Sequence, residues 1–248
     1  MISRNWLRKN SDLVGILNGK KQSARVIFDG KYWYLVFSYN TEAASIELKD
    51  KVIGVDLGIK TLAVTSDNEF KDGVHKEGVY KSIVKRIKGL QRKLSRKYVL
   101  NNQGYKKSNK IRKLEHKISL LNRRLRNIRI NRLHNVSKFL VDKHYRVIAF
   151  ETLNIKGMIR NRKLSKAIAS QGWYNLIQFT KYKAEFYGEQ LKQIGRFEAS
   201  SKLCSRCGSK KQDLRLKDRI YTCNECGLVI DRDYNAALNI RNIALSSN

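Results

Sequence analysis

Two pairs of cysteines in the last quarter of the chain constrain its fold more than any other feature. Cys204 and Cys207 form one C-x2-C pair, Cys223 and Cys226 form another, and fifteen residues separate the pairs. Two residues between cysteines let one tight turn aim both sulfurs at one ion, and two such turns give a closed tetrahedral S4 set. The spacing therefore predicts a zinc ribbon. Its Zn2+ is structural, because four thiolates leave no open coordination position.

A redox function is the alternative interpretation of these cysteines. Each pair would then be a dithiol, or the four cysteines would form disulfides. Disulfides persist in oxidising compartments, whereas Met1–Lys9 contains no apolar segment of the kind that directs secretion. The sequence favours zinc and a cytoplasmic location.

The charge of the chain indicates its partner. Among 248 residues, 52 Lys and Arg oppose 21 Asp and Glu, which leaves a formal net charge of +31 at pH 7. Such a field attracts polyanions at long range, so nucleic acid is the expected partner. The sequence has no run of eighteen apolar residues and no amphipathic segment with a large aromatic face, which argues against a membrane.

Two basic helices are predicted between residues 80 and 140, as an antiparallel hairpin joined by the polar break Asn101–Gly104. From Lys81 to Arg132 there are nineteen Lys or Arg and one acidic residue, Glu115. A solvated helix face normally mixes charges of both signs, so this run favours an arm that binds phosphates. The apolar stripes are Ile83, Ile87, Leu90 and Leu94 on the first helix, and Ile111, Leu114, Ile118, Leu121, Leu125 and Ile128 on the second.

A β-hairpin is predicted near the start of the chain. Two β-rich runs, Ser23–Phe28 and Lys31–Tyr39, flank Asp29-Gly30, a dipeptide suited to a two-residue turn. The hairpin is rich in aromatic residues, and these could stack on nucleic-acid bases. Aromatic residues at alternating strand positions are more often ordinary sheet packing, so packing is the expectation.

Three carboxylates come from distant parts of the chain. Asp56 lies inside an apolar strand that precedes a turn marked by Gly58, Glu151 ends a second apolar strand, and Asp233 lies at the start of a helix that continues to Leu245. Each has an ordinary structural explanation: a turn cap, a strand end in solvent, or a helix cap. One helix cap, however, needs only one of Asp231 and Asp233.

Three such carboxylates also suit the hydrolysis of phosphodiesters. Carboxylates can hold two Mg2+ or Mn2+ ions about 3.5–4 Å apart, one activating water and the other stabilising the leaving oxygen. Ends of strands and helices in an α/β sheet are where such sites lie. This reading requires that the fold bring the three residues together.

Four blocks, in order, resemble the TnpB (OrfB) family of transposon-encoded, RNA-guided DNA endonucleases. They are Gly54–Lys60, Phe150–Ile155, the two cysteine pairs, and Asp231–Ile240. They look like the RuvC-I, RuvC-II, zinc-ribbon and RuvC-III blocks of that family, and the similarity runs from about residue 25 to 245.

The resemblance implies an α/β, RNase H-like (RuvC) nuclease core with an inserted basic helical hairpin and zinc ribbon, preceded by a small β-hairpin segment. Asp56, Glu151 and Asp233 become the catalytic carboxylates around Mg2+ or Mn2+, and Asp231 is left to cap the helix. DNA and a guide RNA are the implied partners. The implied domains are 1–50 as a remnant of the family's wedge barrel, 51–201 as the nuclease core with the hairpin at 80–140, 202–229 as the ribbon and 230–248 as the closing helix.

The chain differs from the family in what precedes Asp56. About fifty residues lie there, too few for the wedge barrel and its inserted helical domain, so the chain resembles an N-terminally shortened member. A metal-dependent endonuclease is the first expectation. The alternative is a protein, or a transposon remnant, that binds nucleic acid without cutting it. A zinc-ribbon transcription factor would explain the cysteines and the charge but not the three carboxylates.

Overall fold

The computed structural model describes residues 21–39, 46–101, 106–195, 201–215 and 218–246. Within them the strands are β1 (Lys21–Phe28), β2 (Trp33–Tyr39), β3 (Lys49–Asp56), β4 (Ala63–Thr65), β5 (Phe70–Lys71), β6 (Tyr145–Glu151), β7 (Gln190–Ile194), β8 (Ile220–Thr222) and β9 (Val229–Asp231). The α-helices are α1 (Gly78–Val99), α2 (Asn109–Val141), α3 (Ile155–Ile159), α4 (Ser165–Gln171), α5 (Trp173–Phe186) and α6 (Arg232–Ser246). Two compact units divide the chain: one takes the described residues of 1–42 and 86–124, the other those of 43–85 and 125–248.

The predicted hairpin is confirmed in the first unit, but its turn is longer than expected. Strands β1 and β2 are antiparallel, and the last pair is Phe28 with Trp33, which leaves a four-residue loop. The Asp29 carboxylate accepts hydrogen bonds from the amides of Lys31 (3.0 Å) and Tyr32 (2.9 Å). The predicted two-residue turn is therefore wrong, because this side chain satisfies the loop amides and stabilises a wider connection.

Four aromatic side chains of the hairpin are exposed, those of Phe28, Tyr32, Trp33 and Tyr34. Trp33 is 72% accessible, Phe28 51% and Tyr32 50%. The rings of Phe28 and Trp33 lie 4.8 Å apart, and the Arg123 guanidinium lies 5.1 Å from the centroid of the Tyr32 ring. The expectation of ordinary sheet packing is wrong for these residues, because exposure depends on what covers a sheet face and not on the strand pattern.

The two predicted basic helices are confirmed as α1 and α2. The hydroxyl of Tyr98, near the end of α1, donates to Glu115, near the start of α2, at 2.5 Å, as an antiparallel pair requires. In the predicted connection, residues 102–105 lie outside the described residues. None of the described helices is long and apolar enough to cross a bilayer. Several members of the predicted stripes are buried: Ile83, Ile87, Ile111, Ile118 and Leu125.

A five-stranded mixed sheet organises the second unit. The strand order is β5-β4-β3-β6-β7. Strands β3, β6 and β7 run parallel, whereas β4 is antiparallel to both β3 and β5. The predicted strands that carry Asp56 and Glu151 are confirmed, and each of these residues is the last of its strand. Strand β7 ends at Ile194.

The sheet has a different cover on each face. On one face, Ile53, Val55, Ile148 and Phe150 pack against residues of α2, α4 and α5, including Trp173. The other face is smaller, and there Val52, Val147, Ala149 and Ile194 pack against Ile240 and Ala244 of α6. Successive residues of a strand point to opposite faces, so this division determines where each strand-end carboxylate points.

Candidate functional site

Asp56 and Glu151 lie at the same end of two neighbouring strands. Strands β3 and β6 are parallel, and the final paired residues, Val55 and Phe150, immediately precede the two carboxylates. Because side chains alternate along a strand, Asp56 lies on the same face as Val52, and Glu151 on the same face as Ala149. Both carboxylates therefore lie on the face that α6 covers.

Asp233 lies in the first turn of α6, on the side of the helix that meets the sheet. Ala237 and Arg241 follow it at intervals of four residues, and so share its side of the helix. A β-carbon at Gly54 would overlap the carbonyl oxygen of Ala237 and the amide nitrogen of Arg241. The sequence thus needs glycine two residues before Asp56, because the backbone of α6 rests directly on β3.

Asp231 has a different role from Asp233. Its carboxylate accepts hydrogen bonds from the amides of Asp233 (2.9 Å) and Tyr234 (3.0 Å). It is the last residue of β9 and the N-cap of α6. The capping role that the family resemblance left to Asp231 is therefore observed, and Asp233 is not needed for it.

The three carboxylates interact electrostatically. Burial and, after it, the negative charges of Asp233 and Glu151 raise the pKa of Asp56 from its ordinary range to about 8, with Arg232 acting in the opposite direction. Asp56 nevertheless keeps part of its surface exposed. A carboxyl group held near other carboxylates in a partly dry site resists ionisation, and a cation would relieve that resistance.

The donor set suits a hard cation, although it is not tightly gathered. Carboxylate oxygens are the ligands that Mg2+ and Mn2+ prefer. Among the described residues, the four cysteines are the only group of three or more potential metal-binding side chains, and their sulfurs all lie within 4.8 Å of one another. Asp56, Glu151 and Asp233 do not form such a group. Asp233 also lies near an arginine, since its Oδ2 is 3.8 Å from Nη1 of Arg219.

The four cysteines form a compact cluster. Their sulfurs all lie within 4.8 Å of one another, with Cys204 and Cys226 3.6 Å apart and Cys207 and Cys223 also 3.6 Å apart. All four are free thiols, so the disulfides of the alternative interpretation are absent from this cluster. The arrangement is that of a metal-binding site.

Ser209 supports the cluster from outside. Its hydroxyl oxygen lies 3.1 Å from the sulfurs of both Cys207 and Cys223. This hydrogen bond lowers the pKa of Cys207 and, with backbone amides, lowers the pKa of Cys223 to about 6. At Cys207 and Cys223 the local environment thus favours the thiolate, which is the form that binds metals. Burial and hydrogen bonds with the other three cysteines instead raise the pKa of Cys226 to about 12.

Sequence reasoning missed three buried amide side chains around these sites. Asn235 and Asn239 of α6 bond to the backbone beside Cys204. Gln171 donates to the carbonyl oxygen of Ile59, in the loop that follows Asp56. The signal for the first two was present, since two asparagines four residues apart in an Ala/Leu/Ile helix share one side of it.

Two family models match the chain and together include every predicted site residue. A model named OrfB_IS605, described as "Probable transposase", matches residues 37–162 and so contains Asp56 and Glu151. A model described as "Cas12f1-like, TNB domain" matches residues 173–240, which contain the cysteines and Asp233.

Similar proteins are longer than this chain. The "Putative RNA-guided DNA endonuclease" of Streptomyces pristinaespiralis is 35% identical over 188 residues, covering 76% of this chain and 44% of the relative. The "CRISPR-associated endodeoxyribonuclease Cas12f1" of Sulfoacidibacillus thermotolerans is 28% identical over 241 residues, covering 91% and 54%. The chain spans about half the length of the curated relatives it matches.

A solved structure shows the same fold. The chain is similar to the "Cryo-EM structure of CRISPR-Cas12f Ternary Complex", with a TM-score of 0.59 and 17% identity over 95% of this chain and 48% of that one. The mixed-sheet α/β fold of the second unit is therefore Cas12f-like. The transposase model alone matches residues 37–162, about half of the chain. The resemblance predicted from the sequence is therefore confirmed, and the chain belongs to the OrfB_IS605 family.

Proposed function

We propose that this chain is a TnpB-like endonuclease that hydrolyses DNA phosphodiesters with divalent cations held by Asp56, Glu151 and Asp233. One observation carries the proposal: three carboxylates from distant segments converge on one face of the sheet, closely enough for two of them to raise the pKa of the third. Such convergence is costly unless a cation is bound.

The strand order supports an RNase H-like (RuvC) core. Three antiparallel strands followed by two parallel ones carry Asp56 on the central strand and Glu151 on its parallel neighbour. In this assignment α1 and α2 are a basic helical hairpin inserted after β5, and the cysteine segment is a zinc ribbon inserted before α6. The domain boundaries expected from the sequence remain part of this proposal.

Each residue has a stated task in the proposed reaction. Asp56, Glu151 and Asp233 would hold the Mg2+ or Mn2+ ions, and α6 would fix Asp233 against β3. When bound, the ions supply activation of water and stabilisation of the charge on the leaving oxygen. Arg219 and Arg232 lie beside the carboxylates and would limit their mutual repulsion before metal binds.

The four cysteines would hold one structural Zn2+. Zinc–sulfur bonds of about 2.3 Å give sulfur–sulfur distances of about 3.8 Å in a tetrahedron, and two of the sulfur pairs here are 3.6 Å apart. The donor set and its spacing therefore fit this ion. With four thiolates the site is closed, and Zn2+ would take no part in hydrolysis.

DNA and a guide RNA are the proposed partners. The relatives are named as RNA-guided DNA endonucleases, and the nineteen cationic residues between Lys81 and Arg132 offer contacts to phosphates. The run of cationic residues contains none of the three carboxylates, so it can bind phosphates whether or not the carboxylates are active. This favours a second candidate function, the binding of nucleic acid without cleavage.

Cleavage assays separate the two candidates. Zinc-loaded protein would be incubated with labelled single-stranded and duplex DNA in Mg2+ or Mn2+, with and without RNA copurified from the native locus, beside Asp56→Ala. Cutting that needs the metal, is lost in chelator and is lost in Asp56→Ala supports the nuclease. Tight binding without cutting would establish the second candidate, and equal cutting by Asp56→Ala would refute the assignment of the carboxylates.

A further inference from the structure

Helix α6 is held between the sheet and the first cysteine turn. Asp233 and Ala237 lie on the side that meets β3. Two residues along an α-helix correspond to a rotation of about 200°, so Asn235 and Asn239 lie on the opposite side. Both asparagines are buried, with 0% and 5% of their surface accessible.

Asn235 binds the backbone on both sides of Cys204. Its Nδ2 donates to the carbonyl oxygen of Leu203 at 2.7 Å, and its Oδ1 accepts from the amide of Ser205 at 3.0 Å. One side chain thus holds the two neighbours of a cysteine ligand. A buried amide is costly when its bonds are lost, so this pair resists separation of the turn from the helix.

Asn239 repeats the contact one helical turn later. Its Nδ2 donates to the same carbonyl oxygen of Leu203 at 2.8 Å. The Leu203 carbonyl therefore accepts from two successive turns of α6, which fixes both the rotation and the axial position of the helix relative to the cysteine turn.

The C-terminal end of the cysteine segment is also connected to the start of α6, where Asp233 lies. Strand β9 continues directly into α6, and the Arg232 amide donates to the carbonyl oxygen of Arg219 at 2.8 Å. The buried core of this segment is small, and two of its three fully buried members are the ligands Cys204 and Cys223, with Tyr221. So small a core depends on a bound metal for its order.

We propose that Asn235 and Asn239 are positioning residues that couple the four-cysteine site to Asp233, so that Zn2+ at the cysteines strengthens binding of a divalent cation at the carboxylates. The cation-binding half of this inference rests on the proposed function. The coupling between the cysteine turn and α6 does not, because it concerns only the order of the helix.

Hydrogen exchange tests the coupling without any catalytic readout. The amides of residues 234–238 would be followed in the wild-type protein with Zn2+ and after its removal, and in zinc-loaded Asn235→Ala and Asn239→Ala. We expect exchange to be at least about tenfold faster in the zinc-free protein and in both variants. Asn242→Ala, on the same helix but bonded to Arg241 rather than to the cysteine turn, is the matched control and should exchange like the wild type.

Binding of Mn2+, measured by the EPR signal of the free ion, tests the consequence. With one Zn2+ retained per chain, both variants should bind Mn2+ about tenfold more weakly than the wild type, as is usual when a residue that orients a ligand is removed. Unchanged exchange and unchanged Mn2+ affinity would overturn the inference, as would loss of Zn2+ from the variants with α6 still protected. If the zinc-free wild type exchanges like the zinc-loaded protein, the inference fails even where Asn235→Ala does not fold.

The outcomes also separate this inference from the proposed function. Faster exchange in α6 without any Mn2+ binding in the wild type would support the coupling and refute the carboxylate site. Mn2+ binding that is normal in the wild type and unchanged by removal of Zn2+ or by either asparagine substitution would support the carboxylate site and refute the coupling.

Discussion

The cysteine site and the carboxylate site differ in how the chain builds them. The four thiols lie within 23 residues of sequence, in two tight turns, and their sulfurs are already within 4.8 Å of one another. The carboxylates come from two strand ends and one helix, and Asp56 resists ionisation beside its neighbours. A site made of local turns can be assembled by sequence spacing alone, whereas a site made of distant acidic groups needs the whole sheet to hold it together against repulsion.

Substitution of Asp56 is the sharpest test of the carboxylate half of this comparison. We expect Asp56→Asn to lower the rate of metal-dependent DNA cleavage by about 10^3-fold or more, because a ligand worth several kcal/mol of transition-state stabilisation is lost. Nucleic-acid affinity should remain within about twofold, since the basic helices are unchanged. Asp50→Asn is the matched control: it lies on the same strand with 84% of its side chain exposed, and its cleavage rate should match the wild type.

Substitution of Cys223 tests the cysteine half. We expect Cys223→Ser to lose the bound Zn2+ and to unfold the segment from 201 to 230, because binding of structural zinc supplies about 10–16 kcal/mol in small zinc domains. Elemental analysis and limited proteolysis would measure the two effects. Ser209→Ala offers a graded comparison, with zinc retained but bound about tenfold more weakly through loss of the hydrogen bond to two thiolates. Full zinc occupancy in Cys223→Ser would show that the site is not tetrathiolate.

The pH dependence of stability distinguishes an acid at the proposed metal site from one far from it in the sheet. Burial and, to a smaller extent, the negative charge of Asp142 raise the pKa of Glu189, just before β7, to about 7. Because the folded state holds this proton more tightly than the unfolded state, stability falls as pH rises from about 4.5 to 7. Glu189→Gln should remove that share of the decline, about 1–3 kcal/mol at pH 8.

Magnesium provides the contrast in the same thermal-melting series. The burial-raised pKa of Asp56 gives a decline of the same sign up to about pH 8, and Mg2+ should remove it by stabilising the ionised carboxylates. The share owed to Glu189 should not respond to Mg2+. A response of equal size in wild type and Asp56→Asn would contradict the placement of the cation at Asp56.

Loss of the helix cap is the smallest expected effect. Asp231→Ala removes an acceptor for two amides of α6, so we expect about 1 kcal/mol less stability in chemical unfolding. Mn2+ affinity should fall far less than in Asp233→Ala. Equal losses of Mn2+ affinity in the two variants would contradict the assignment of Asp231 as the cap and Asp233 as the proposed ligand.

The sequence was most informative where local pattern decides the structure. Spacing identified the cysteines, and the apolar runs that carry Asp56 and Glu151 identified two strands of the sheet, although not that they are neighbours. The stripes of α1 and α2 follow the helical period and were likewise predicted. The roles of Asp56, Glu151 and Asp233 in catalysis remain predictions, because their convergence follows from the fold but the reaction does not.

The sequence was least informative where one segment depends on another. The exposed ring of Trp33 follows the same alternation as a packed one, so the pattern could not distinguish them. Strand β5 has two residues and no period to detect. The contacts of Asn235 and Asn239 join α6 to a turn more than thirty residues earlier, and no local rule pairs them.

The distance in sequence between Asp56 and Asp233 also determines when, during synthesis, the carboxylate cluster can form. Asp233 is synthesised 177 residues after Asp56 (233 − 56), which corresponds to roughly 9–35 s at about 5–20 residues per second on the ribosome. Until α6 has been synthesised, it cannot cover the face of the sheet on which Asp56 and Glu151 lie. A nascent chain of this protein is therefore unable to assemble the carboxylate cluster, and its highly basic helices emerge into the cell well before the residue that completes it.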